Sequence, residues 1–181
     1  MFCRVVAAAA CVLLLAGCQQ AGPVMNSAGV TAPSSVAMKA VDVPFSGVVM
    51  GEAVFDFATN PKACASTFTT VTSAKGQASH MGLVTWESQH CLGPESQILD
   101  AELVLTAANG DKVNATYTGS CAGSGVIGEP VTCTGSATVT GGTGRFEGAT
   151  GTAEWNAAIV FQGFDDFSWP GRWEWKGTIR Y

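Results

Sequence analysis

Two histidines, seven cysteines and one pair of adjacent aspartates are the residues of this chain whose types and spacing could do chemistry. Metal ligation is the first chemistry to test. There is no C-x-x-C, and His80 and His90 lack ligand spacing, so no metal is expected. No G-x-S-x-G occurs, which removes the usual nucleophile turn. His80 falls in a segment that reads as strand. It could line a cavity as a ligand contact or an acid–base group, imidazole being the side chain that switches charge near neutral pH. The competing reading is a histidine on the surface or hydrogen-bonded at a strand end. His90, beside Cys91 and near a turn, reads as structural. Asp165 and Asp166 lie in a segment with Phe161, Phe164, Phe167 and Trp169. A loop carrying Phe164, Phe167 and Trp169 could gate a cavity or stack on a ring-shaped ligand, with Asp165 or Asp166 fixing polarity. Alternatively the rings cap one end of the fold and the aspartates stay in water. Too few further oxygens stand nearby in sequence for calcium. No catalytic residue is assigned, and no cofactor is expected.

The N-terminus carries a different kind of chemistry. Arg4 is followed by an apolar run from Val5 to Ala16. That run suits the core of a secretory signal and is too short for a membrane-spanning helix, which needs about 20 residues. It ends in Leu15-Ala16-Gly17-Cys18. These four residues resemble the lipobox of bacterial lipoproteins. The resemblance implies cleavage before Cys18, acylation of Cys18, and a membrane as partner through that lipid. Gln19, rather than Asp, follows Cys18, and the resemblance then favours the outer membrane of a cell envelope. One acyl chain binds only marginally, but lipoprotein cysteines carry two or three.

Cleavage would remove Cys3 and Cys11 and leave 164 residues, enough for one domain and a tether. Four cysteines then remain besides Cys18: Cys64, Cys91, Cys121 and Cys133. An even number in an oxidising compartment reads as two disulfides. Of the three pairings, Cys64–Cys91 with Cys121–Cys133 is favoured, because each would couple the ends of strands expected to be neighbours. Loss of Arg4 leaves eight basic against fourteen acidic residues. An acidic chain without a basic cluster argues against nucleic acid as a partner.

The elements that would position these groups are strands. Residues 18–42, with Pro23, Gly29, Pro33 and Ser35, read as a flexible tether with an r.m.s. span of about 25 Å. From residue 43 to 181 short alternating segments follow one another, bounded by turn residues. They are 45–57, 65–73, 77–89, 99–106, 112–119, 131–140, 149–162 and 172–181. In the last, Trp173, Trp175, Ile179 and Tyr181 share one face, and Arg172, Glu174, Lys176 and Arg180 the other. The Asn109-Gly110-Asp111 run suits a tight hairpin. About eight antiparallel strands with one apolar face each predict an all-β fold, a single closed barrel filled by side chains. A terminal aromatic strand also occurs in outer-membrane barrels, but 65–73 and 131–140 are too Thr-rich to supply a lipid-facing band.

The run Gly141-Gly142-Thr143-Gly144-Arg145-Phe146-Glu147-Gly148-Ala149-Thr150-Gly151 reads as a hairpin corner pinned by the single ring of Phe146. It resembles the corner of the dirigent and allene oxide cyclase barrels, and more closely a group of uncharacterised bacterial domains of that type. Ala78, His80-Met81-Gly82 and the Ala107–Asp111 turn share the likeness. The resemblance covers about residues 45–181 and implies an eight-stranded antiparallel barrel with a central cavity. The shared letters are architectural and imply little about activity. The expectation is an exported, lipid-anchored barrel without catalysis, holding a small apolar or aromatic ligand or serving the envelope. The alternative is a cyclase- or isomerase-type enzyme acting on an apolar substrate in the cavity.

Overall fold

In the computed structural model, which describes residues 41–181, the alternation becomes eight strands. They are β1 (Asp42–Asp56), β2 (Thr69–Ala78), β3 (Gly82–Leu92), β4 (Gln97–Ala107), β5 (Lys112–Ala122), β6 (Pro130–Gly142), β7 (Thr150–Val160) and β8 (Ser168–Arg180). Each pairs antiparallel with the next, and β8 returns to β1, so the sheet is a closed barrel. Closure leaves no unpaired sheet edge. At the β1–β8 seam, Asp42 faces Arg180 and Val54 faces Ser168. The Arg180 guanidinium donates to both carboxylate oxygens of Asp42, at 2.9 and 2.8 Å. Signal, lipobox and most of the expected tether lie outside the described residues.

The interior follows from the two-residue period of a strand. Phe45, Val49 and Ala53 of β1 point inward, as do Val113, Ala115 and Tyr117 of β5 and Trp173, Trp175 and Ile179 of β8. The tryptophans of β8 thus serve the core, and the charged alternates of that strand face out. Inward glycines make room for the large rings. A Cβ on Gly47 would stand 2.2 Å from the Trp175 ring, and one on Gly119 would stand 2.7 Å from Trp155. Both indoles lie against bare backbone and fill the barrel without bulging the wall.

One end of the barrel is sealed. The glycine run forms the β6–β7 corner, with a single 3₁₀ turn at Gly144–Phe146 and positive φ at Gly144 and Gly148. Phe146 is fully buried there, 4.8 Å from the Tyr181 ring. The corner is stitched to the β4–β5 turn. Lys112 N donates to Thr143 Oγ1 at 3.1 Å, Thr143 N donates to Lys112 O at 2.9 Å, and Arg145 meets Asp111 at 3.5 Å. The ring-pinned corner expected from the sequence is the one that forms. So are both disulfides. Cys64–Cys91 ties the β1–β2 loop to the end of β3, and Cys121–Cys133 bridges directly opposed residues of β5 and β6.

Three expectations change. Residues 65–68 belong to the β1–β2 loop, and β2 starts at Thr69. The expected strand 77–89 is broken by a turn at Ser79–Met81, where His80 has φ +64° and Gly82 φ +72°. In β4, Leu99 is exposed, because an irregularity between Ile98 and Ala101, with Asp100 at φ +50°, shifts the alternation by one residue. Ile98 then takes the inward place that the simple pattern gave to Leu99.

Candidate functional site

The end opposite the sealed one is bounded by the β1–β2, β3–β4, β5–β6 and β7–β8 connections, and there a cavity of about 360 Å³ opens. Small-molecule sites commonly span about 300–1,000 Å³, so this one suits a compact ligand. Trp86, Tyr117 and Trp155 form its floor, since the same three residues also line the small void of about 20 Å³ in the packed core beneath. Tyr117 meets Trp155 edge to face at 5.6 Å.

Along the β1–β2 and β7–β8 side of the mouth the rings form a continuous arc, a half-collar. Phe55 meets Trp169 at 4.5 Å and Phe68 at 5.5 Å, Phe57 meets Phe68 and Phe167 at 4.8 Å each, and Phe161 meets Trp169 at 4.8 Å. Several of these contacts are edge to face, the arrangement that ring quadrupoles favour. Trp169 is buried, and its indole N–H donates to Asp166 O at 2.8 Å and Gly163 O at 3.2 Å, which pins the loop before β8. Phe164 sits on the rim, 78% exposed, with its ring 5.3 Å from Phe161. The loop therefore lines one side of an open mouth and does not plug it. The carboxylates of Asp165 and Asp166 are exposed and outside the cavity lining; Asp166 Oδ1 accepts from Ser168 N at 2.9 Å and holds the turn.

His80 lies elsewhere. It occupies the β2–β3 turn at the sealed end, with Nε2 2.9 Å from Pro44 O and its ring 5.9 Å from Tyr181. It does not line the cavity: the positive-φ turn corrects that reading, and the contact with Pro44 O fits the competing one, a histidine hydrogen-bonded at a strand end. The histidine in the cavity is His90. Along β3 the inward positions are Val84, Trp86, Ser88 and His90, an unbroken alternation that places His90 on the wall. The sequence carried that signal, but the expected strand stopped at Gln89.

The cavity's polarity is one-sided. Thr70 and Thr72 of β2 are buried inside opposite His90 and Ser88 of β3. Two hydrogen bonds lie along this side. Trp86 Nε1 donates to Ser88 Oγ at 2.9 Å, and indole is a donor only. Tyr117 Oη lies 2.8 Å from His90 Nδ1. Phenol is the better donor and imidazole nitrogen the better acceptor, so the Tyr117 hydroxyl is assigned as the donor. That assignment leaves the imidazole proton on Nε2, which has no hydrogen-bond partner among the described residues. Burial pulls the His90 pKa down to about 4, so the ring is neutral at physiological pH. Burial pushes the Tyr117 phenol up, against a smaller opposing pull from the Ser88 hydroxyl, so it keeps its proton. Thr70 Oγ1 is buried and has no hydrogen-bond partner among the described residues.

Among the described residues no Asp, Glu, Lys or Arg lines the cavity. Cys121 and Cys133 do, but as a disulfide they offer no thiolate. Among the described residues no three His, Cys, Asp or Glu side chains gather as a metal site. The arrangement can enclose an apolar or aromatic body and offer it neutral hydrogen-bond donors from one side. Set against known protein families, curated proteins and solved structures, the chain matches none of them.

Proposed function

We propose that this chain is an exported, lipid-anchored barrel that holds a small apolar or aromatic molecule in its open-ended cavity. The observation that carries the reading is the half-collar of rings at the mouth of a cavity with no charged lining residue, above a core whose own void is only about 20 Å³. Apolar side chains lining an unfilled space lose contacts that a ligand would restore. Export is supported by the two disulfides, which belong to an oxidising compartment, and by the signal-like run ending at Cys18. The Gly141–Gly151 corner supports kinship with the dirigent and allene oxide cyclase barrels, whose cavities also take small molecules.

Native mass spectrometry of the protein purified from its own membranes tests the holding role. A bound small molecule at one copy per chain is the expected result; a bare mass under every extraction condition would defeat it. Cys18→Ala tests the anchor, and the variant is expected to leave the membrane fraction. Its continued sedimentation with membranes would defeat the lipid assignment.

The cyclase- or isomerase-type reading keeps one supporting observation, the His90–Tyr117 pair on the cavity wall. A neutral imidazole backed by a protonated phenol can donate to a carbonyl oxygen as charge develops on it. Recovering the co-purified molecule unchanged after prolonged incubation with fresh protein favours holding over turnover.

A further inference from the structure

The cavity is apolar on most of its wall; its hydroxyl and imidazole groups come from Thr70 and Thr72 of β2, His90 of β3, Tyr117 of β5 and Ser96 just before β4. His90 and Thr70, side by side on this wall, are the pair that matters. His90 spends Nδ1 on Tyr117 and keeps a proton on Nε2. Thr70 directly faces His90 across the strand pair, and its buried hydroxyl meets no protein group among the described residues. Leaving a buried hydroxyl unmet is costly, so most buried polar atoms in a settled fold have a partner. Here two adjacent donors stand on one wall of a mostly apolar space. What they lack in common is an acceptor.

The charge of that acceptor is constrained as well. A carboxylate or phosphate taken into this cavity would shed its hydration and find no Lys or Arg among the lining residues. Burying an unpaired charge is far more costly than burying a hydrogen-bonded neutral group. His90 does not supply the missing charge, because it sits neutral beside Tyr117.

We propose that the ligand is a neutral ring-bearing molecule with one acceptor oxygen of the ketone or quinone type, and that this oxygen is held by His90 Nε2–H and the Thr70 hydroxyl. The proposal rests on the ligand-holding role of the cavity and names the chemistry that role selects. Trp169 and the phenylalanines of the half-collar would take the ring body, and β2 and β3 would fix its orientation.

The test is photolabelling of the full-length protein in lipid nanodiscs with isotope-labelled benzophenone, read by peptide mass spectrometry. Three competitors are compared: unlabelled benzophenone, its hydrocarbon counterpart diphenylmethane, and the carboxylate diphenylacetate. Label is expected on cavity-wall peptides. Benzophenone is expected to compete about fivefold or more better than diphenylmethane, as one to two hydrogen bonds allow, and better still than diphenylacetate. In His90→Phe the advantage of ketone over hydrocarbon should vanish. In Thr70→Val, which conserves shape, it should shrink, so the inference stays testable if the first variant does not fold. Equal competition by ketone and hydrocarbon, or best competition by the carboxylate, would overturn this inference while leaving an occupied cavity and the holding role intact. Absence of label from the cavity wall would overturn both.

Discussion

Acidification should weaken this fold through His90 in particular. In the barrel the ring is buried and burial holds its pKa down at about 4, whereas an unfolded chain returns it to the ordinary histidine value of 6.5. The unfolded state therefore binds the proton more readily. Stability is whole above pH 6.5, drains as pH falls, and the loss is complete below about pH 4. The gap between 6.5 and about 4, at about 1.4 kcal/mol per tenfold change in proton affinity, corresponds to about 3 kcal/mol. Between pH 7.5 and 4.5 most of this, about 2–3 kcal/mol, should disappear. That is a large share of the roughly 5–15 kcal/mol typical of a domain. The measurement is urea unfolding at both pH values, disulfides intact, for the natural protein and His90→Phe. The variant removes the titrating ring and leaves every carboxylate in place, so the carboxylate contribution cancels in the comparison. Phe also leaves the Tyr117 hydroxyl without its acceptor, and the variant should be weaker at pH 7.5. The decisive quantity is the change between the two pH values, which should be about 2–3 kcal/mol smaller in the variant. Equal changes in the two proteins would refute a buried, neutral His90.

Other consequences follow from the walls and ends of the barrel. Gly47→Ala places a methyl 2.2 Å from the Trp175 ring, and thermal unfolding should show a loss of about 1–3 kcal/mol or more; an unchanged midpoint would mean that Trp175 does not lie over Gly47. Phe146→Ala empties the sealed end of a fully buried ring and should cost about 3–5 kcal/mol in denaturant titration, far more than Phe164→Ala on the exposed rim. Replacing both Cys121 and Cys133 by Ala opens a loop of sequence separation 12 and should cost about 3 kcal/mol on the chain-entropy account, read as a lower unfolding midpoint without added reductant.

Much of the barrel was legible because its information is local. The alternation in β8, the Asn109–Asp111 turn and the corner around Phe146 each announce themselves within about ten residues, and their structure matches. What failed depended on single backbone choices. Nothing in the β4 pattern signals that Asp100 adopts positive φ, yet that one residue turns Leu99 outward and Ile98 inward. Ser79, His80 and Gly82 are turn-compatible, but the apolar residues on either side invite a continuous strand, and the turn between them carries His80 away from the cavity. The cavity itself has no local signature. Inward Thr70 and Thr72 read like any Thr-rich strand, and their importance comes from facing His90 and Ser88 on a strand that closes beside them. Of the aromatic loop, the burial of Trp169 and the exposure of Phe164 are decided by which rings Phe55 and Phe161 can reach, a matter of three dimensions.

The seam between β1 and β8 has a bearing on how the ring comes to exist at all. Seven of the eight strand pairings join neighbours in the chain, and each can form as a hairpin soon after its residues are available. The eighth joins Asp42 to Arg180 across a separation of 138 residues. Closing that span from an open coil costs about 2 kcal/mol more than closing a loop of roughly ten residues. An open curved sheet with two bare edges is therefore the natural precursor, and the Asp42–Arg180 fork marks where those edges must find each other. A circular permutant that links the barrel's first and last strands and opens the chain at the Asn109–Asp111 turn would make this seam a hairpin and hand the long-range closure to β4 and β5. The order of assembly would change while the finished ring stayed the same.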